Sequence, residues 1–125
     1  MSARNLWGDL GALEIVRTPK DILKEQASFL TKATEGVLVG NVDEMDANGD
    51  VRYDVDVQVP SLNDYTYTLL SITHGLDLYP VRVSPRAAAL TETCDDETEF
   101  EAVLRTVLSS KQVKLILSRL LSQAR

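Results

Sequence analysis

Three aspartates in the middle of the chain, Asp43, Asp54 and Asp56, and the single histidine His74, followed closely by Asp77 and Tyr79, are the side chains whose types and spacing bear on chemistry. Carboxylates gathered on one surface attract cations or a basic partner, and where burial perturbs them they can exchange protons. The three aspartates belong to a wider block. Residues 36–80 hold eight acids against one base, Arg52, a charge of −7 in a chain whose net charge is −6.

Position decides which chemistry the acids could do. Val51, Tyr53, Val55, Val57 and Val59 alternate with Arg52, Asp54, Asp56 and Gln58, the period of a half-buried strand. Just upstream, Asn48-Gly49 is a strong hairpin signal, because both residues tolerate positive φ. A two-residue turn there pairs Ala47 with Asp50, Val42 with Val55 and Leu38 with Val59 on an apolar face. It also sets Asp43 opposite Asp54 and Asn41 opposite Asp56. The carboxylates therefore share one face, and three roles are open to them: a docking patch for a basic partner, catalysis, or solvation that discourages edge pairing. Opposed like charges cost a sheet only tenths of a kcal/mol, so the arrangement need not be functional.

His74 ends a strand beside Gly75, where a loop could form a small ligand site with Asp77 and Tyr79. A Ser-His-Asp hydrolase could be written with Ser71 or Ser84, but no Gly-x-Ser-x-Gly elbow supports it. The bland reading is a turn histidine bonded to backbone. Glu44-x-Asp46-x-Asn48-Gly49 imitates the start of an EF-hand loop, yet Val55 stands where a bidentate Glu is needed and strands flank the loop. Cys94 precedes Asp95, Asp96 and Glu97, whose charge disfavours a reactive thiolate. No phosphate-cradling loop or zinc spacing occurs, so no cofactor and no metal are expected.

The elements that position these groups follow from local signals. Residues 1–16 form an arm with Leu6, Trp7, Leu10, Leu13, Ile15 and Val16, expected to pack across the domain's own sheet. Thr18-Pro19-Lys20-Asp21 opens a helix over about 19–34, within 18–35, with Ile22, Leu23, Ala27 and Leu30 as its apolar stripe. Strands are expected at 37–45, 51–59 and 65–73, with a short fourth at 78–83 that Pro80 would confine to an edge; together they make an acidic sheet over 36–83. Residues 84–96 read as a connection, with a possible helical turn at 86–90. Two helices follow within 97–123, about 98–108 capped by Thr98 and Glu101, and 110–123 capped by Ser109 with Gln112, with a bend at Ser109-Ser110.

The chain's 125 residues, 44% hydrophobic and 26% charged, suit one domain, residues 1–125. The acidic balance argues against nucleic acid, no apolar run reaches membrane length, and one cysteine with no leader-like N-terminus suggests a cytoplasmic protein. The expected fold is α+β: an N-terminal helix, an antiparallel meander of three to four strands, and a C-terminal helix pair on one sheet face. The expected function is that of a small interaction or inhibitor protein, not an enzyme, whose acidic face docks a basic protein. Immunity proteins that neutralise basic toxins are an analogy of size and charge. The alternative is a homodimeric accessory subunit joined through the Trp7 arm or the Leu-rich last helix.

Overall fold

Thr18 begins the first helix by reciprocal capping. In the computed structural model, which describes residues 3–86 and 91–124, Thr18 Oγ1 accepts from the Asp21 N–H at 3.1 Å, and the Asp21 carboxylate accepts from the Thr18 N–H at 3.1 Å. Helix α1 runs Pro19–Ala33 and buries Ile22, Leu23 and Ala27, the stripe read from its periodicity. Two hydroxyls join its C-terminal end to the strand that follows. Thr31 Oγ1 accepts from the Gly40 N–H at 2.9 Å, and Thr34 Oγ1 accepts from the Leu38 N–H at 3.1 Å.

The sheet is an antiparallel meander of β1 (Val39–Ala47), β2 (Asp50–Val59), β3 (Tyr65–His74), β4 (Val81–Pro85) and β5 (Glu92–Cys94), in spatial order β1-β2-β3-β4-β5. Asn48 and Gly49 both take positive φ, 54° and 92°, and the resulting register sets Val42 opposite Val55, Asp43 opposite Asp54 and Asn41 opposite Asp56. The fold is α+β, with one strand more than expected. Glu92–Cys94 is too short and too polar to announce itself, and it becomes a strand by bonding to β4, with Cys94 opposite Val81. Pro80 precedes β4 rather than lying within it, so it costs the ladder no N–H, and β4 is an interior strand instead of an edge. Of the helical turn considered at 86–90, residues 87–90 lie outside the described residues.

Helices α2 (Glu97–Leu108) and α3 (Lys111–Ala124) bend apart at Ser109-Ser110 as expected, but both caps differ. Asp96, not Thr98, accepts from the Glu99 N–H at 2.8 Å, and the Glu99 carboxylate accepts from the Asp95 N–H at 2.6 Å. Ser110, not Ser109, accepts from the Val113 N–H at 3.2 Å. In each case an oxygen three residues before a free N–H was available one or two positions away, and the earlier or later start lets Phe100 and Val113 face inward.

Helices α1, α2 and α3 cover one face of the sheet. Ile22 and Leu23 of α1 and Phe100 and Leu104 of α2 pack with Tyr53, Val55, Leu70, Ile72, Val81 and Val83; Val113 and Leu120 of α3 pack with Leu38, Val57, Val59 and Leu69. The arm does not share in this core. Leu6, Leu10, Leu13 and Val16 are exposed, Trp7 is 81% exposed and Ile15 100%, which corrects the expectation that the arm packs across the sheet. The helices already occupy the apolar face, and the other face is largely polar, with Val39 and Met45 of β1 as apolar residues at the β1 edge, so little apolar sheet surface is left for it. Among the described residues no helix is long and apolar enough to cross a membrane.

Candidate functional site

The face opposite the helices is built from the alternate residues of the same strands. Asn41 and Asp43 of β1, Arg52, Asp54, Asp56 and Gln58 of β2, Thr68, Ser71 and Thr73 of β3, and Arg82 and Ser84 of β4 share it, and Asp43, Arg52, Arg82 and Ser84 are exposed. The three aspartates singled out from sequence are brought together at its centre.

They are not equivalent. Asp43 is exposed, whereas Asp54 and Asp56 are only 8% and 6% exposed although no helix lies over them. Side chains on the flanking strands wall them in and bond to them. Asp54 Oδ1 accepts from Ser71 Oγ at 2.7 Å and from Arg52 Nε at 2.9 Å; Asp56 Oδ1 accepts from Thr68 Oγ1 at 2.7 Å. Arg52 Nη2 also donates to Ser71 Oγ at 3.2 Å, closing a small network around Asp54. Among the described residues no cation pairs with Asp56. Burial, and then the neighbouring Asp43 and Asp54 carboxylates, push its carboxyl above the usual range, against the opposing pull of the Thr68 hydroxyl.

A bulge makes this arrangement possible. Asp54 pairs with Ser71 and Val55 with Leu70, but Asp56 pairs with Thr68, so Leu69 is an extra residue on β3. In an unbroken ladder Leu69 would stand opposite Asp56 on the polar face. The bulge instead sends Leu69 into the core with Val57 and Val113, and gives Asp56 a hydroxyl. Sequence reasoning missed Arg52, Thr68 and Ser71 as partners of the acids. Arg52 was legible from its i, i+2 relation to Asp54, but the β3 register depends on the bulge.

His74, Asp77 and Tyr79 also come together, lining a cavity of about 300 Å³ at the β3–β4 turn with Asp50 and Arg82, which pair at 3.3 Å. His74 itself belongs to the helix-covered side. It is 6% exposed, stacks on Tyr53 with ring centroids 5.7 Å apart, and donates from Nδ1 to the Gly75 carbonyl at 2.7 Å. Its Nε2 and the Tyr79 hydroxyl are both buried, and neither has a hydrogen-bond partner among the described residues. Ser71 and Ser84 pair with each other on the open face, whereas His74, three residues from Ser71, points to the other. Sheet parity therefore keeps the Ser-His arrangement from assembling.

The remaining candidates are structural. Glu44 and Asp46 flank a hairpin rather than a helix–loop–helix, and the Tyr53 hydroxyl, then Lys20, hold the Glu44 carboxylate below its usual range. The Cys94 thiol is fully buried; burial first, then Glu99, Glu92, Asp95 and Asp96, push it up. Among the described residues no group of three or more His, Cys, Asp or Glu side chains is placed to hold a metal ion. Comparison with known proteins finds no matching family model, no matching curated protein and no matching solved structure.

Proposed function

We propose that the chain is a protein-interaction module, of an inhibitory or accessory kind, that docks a basic surface of another protein onto the bare face of its sheet. The observation that carries this reading is the placement of Asp43 directly opposite Asp54, with Asp56 diagonal to Asp43, on a face that none of the three helices covers. Folding gains nothing from that juxtaposition, since opposed like charges weaken a sheet. A partner's lysine or arginine laid between Asp43 and Asp56 turns the repulsion into charge-assisted hydrogen bonds, each worth about 1.5–3 kcal/mol. The hydroxyls of Thr68 and Ser71 and the Arg52 guanidinium hold the two inner carboxylates in place before the partner arrives, which reduces the entropy lost on binding.

The test is an NMR titration of the folded protein with an oligo-arginine peptide. Shifts should centre on Asn41, Asp43, Asp56, Thr68 and Ser71, fade as salt shortens the Debye length below about 10 Å, and vanish in Asp43→Asn/Asp54→Asn/Asp56→Asn. Shifts that survive the triple change, or that centre on Asp95, Asp96 and Glu97 at the start of α2, count against this face.

A further inference from the structure

We propose, resting on the reading of the bare face as a docking surface, that the basic partner enters as an extended segment. It adds antiparallel to the outer side of β1 along residues 42–46, with its arginines or lysines beside Asp43.

β1 is an outer strand of the sheet and nine residues long, whereas the opposite outer strand, β5, has three. Its backbone groups alternate in direction. Ala47 and Asp50 flank the two-residue turn, so odd-numbered residues of β1 aim their N–H and C=O at β2 and even-numbered ones aim theirs outward. At the start of the strand α1 satisfies the outward groups. Thr34 Oγ1 accepts from the Leu38 N–H at 3.1 Å and donates to the Leu38 carbonyl at 2.9 Å, and Thr31 Oγ1 accepts from the Gly40 N–H at 2.9 Å. Further along, α1 leaves the edge, since its first turns pack Ile22 and Leu23 on Tyr53 and Val55 of β2. Among the described residues no loop or side-chain group bonds to the backbone of Val42, Glu44 or Asp46. Residues 43–46 are exposed and Val42 is half-buried.

Sheet edges that stay unpaired are kept so by lysine, proline, a bulge or very short length. Residues 39–47 contain neither lysine nor proline and pair with β2 without a register shift. Their charges are Asp43, Glu44 and Asp46, all acidic. Lys20 pairs with Glu44 at 3.3 Å, and among the described residues Asp43 and Asp46 enter no ion pair.

This charge pattern selects the occupant. The β1 strand of a second copy, paired symmetrically, would set Glu44 against Glu44 or Asp43 against Asp43, and like charges directly opposite destabilise a sheet. A second copy's β5 brings Glu92 and is followed by Asp95, Asp96 and Glu97. The chain's own arm brings Asp9 and Glu14, with no base between Asn5 and Val16. Each of these adds negative charge to a negative edge. A basic strand alone supplies the opposite sign, and it gains backbone bonds from the outward groups as well. An arginine opposite Asp43 on that strand shares the acidic face, where Asp54 stands next in the same row.

The experiment titrates the folded full chain with an end-capped peptide of alternating arginine and valine, followed by NMR shifts and amide hydrogen exchange. At saturation the amides of Val42, Glu44 and Asp46 should exchange at least tenfold more slowly. Asp43→Asn/Asp46→Asn, which alters only exposed side chains, should weaken binding at least tenfold. Two methylated peptides separate ladder from charge. With the arginines on the acidic face of an antiparallel pair, the valine amides turn toward β1 and the arginine amides toward solvent. N-methylation of the valines should therefore weaken binding at least tenfold, and N-methylation of the arginines should not. Equal or reversed effects overturn the proposal. Shifts at Asp43, Asp56 and Thr68 with the three edge amides unprotected also overturn it, while leaving the face as the docking surface. Protected edge amides without shifts at Asp56 and Thr68 uphold the added strand and remove the face. No binding at all removes both.

Discussion

Thr68 Oγ1 donates to Asp56 Oδ1 at 2.7 Å across the β2–β3 ladder, and it can do so because Leu69 is bulged out of register beside it. The bulge thus serves the core and the polar face together: one residue's displacement buries a leucine and gives the Asp56 carboxylate a hydroxyl donor. The surrounding charges still oppose ionisation of Asp56, and a pH-dependent stability follows.

The Asp56 carboxyl is raised in the folded protein above its ordinary value of 3.8, chiefly by burial and then by Asp43 and Asp54. Between 3.8 and the raised value the folded state binds more protons than the unfolded state, so stability falls as pH rises through that window. Asp56→Asn keeps the shape and an acceptor for Thr68 while removing the charge. It should stabilise the protein at pH 7 by a few tenths to about 1 kcal/mol, the scale of opposed like charges on a sheet. Urea titrations of both proteins from pH 3.5 to 7 check this. Their stabilities should converge toward the acid end, and a gap that widens on acidification contradicts the account.

Gly40 lies against the backbone of Ala27 where α1 crosses β1. A Cβ at residue 40 would come within 2.7 Å of the Ala27 Cα and 2.8 Å of its carbonyl carbon, so α1 would have to move away. The bond from the Gly40 N–H to Thr31 Oγ1 would then stretch from its 2.9 Å. Gly40→Ala should cost about 2–3 kcal/mol, at the upper end of overpacking penalties. Thr31→Val, which removes the hydroxyl that accepts from the Gly40 N–H and donates to the Ala27 carbonyl at 3.2 Å, should cost about 1 kcal/mol. Chemical denaturation of the two variants checks the order, and equal costs would mean that the close approach contributes nothing.

Much of this architecture could be read locally. Strict alternation from Val51 to Val59 and the Asn48-Gly49 turn specify the first hairpin and its register, since a slip of one residue would turn Val55 outward and Asp54 into the core. Thr18, Pro19 and Asp21 specify the start of α1 for the same kind of reason. What escaped depends on partners distant in sequence. Glu92–Cys94 is a strand only because β4 is beside it, and the burial of Asp54 and Asp56 requires Ser71 and Thr68 to arrive across a bulged ladder. The arm misled because its leucines and Trp7 imply burial without saying against what.

Cys94, opposite Val81 and inside the core that holds Phe100, is fully buried, and its thiol is pushed up by burial and by the acids around it. Labelling by a thiol-specific disulfide reagent at pH 7.5 should therefore follow opening of the structure and not the intrinsic rate of a free thiol. The native protein should react at least a hundredfold more slowly than the urea-unfolded chain. Adding urea below the transition should speed labelling as it lowers the opening free energy. Fast native labelling would show that β5 frays independently of the core.

His74 separates a structural from a chemical role at the β3–β4 turn. Its ring stacks on Tyr53 and its Nδ1 donates to the Gly75 carbonyl, but Nε2 is buried with no partner among the described residues. His74→Phe keeps an aromatic ring in the stack and removes the unpartnered nitrogen along with one hydrogen bond. Losing a bond worth about 1 kcal/mol and relieving a buried polar atom of similar cost should nearly cancel at pH 7.5. His74→Ala, by contrast, leaves a cavity under Tyr53 and should cost about 2–4 kcal/mol. Thermal denaturation at pH 7.5 distinguishes the two. If Phe proves as damaging as Ala, the nitrogen that lacks a partner in the fold is doing something the aromatic stack does not.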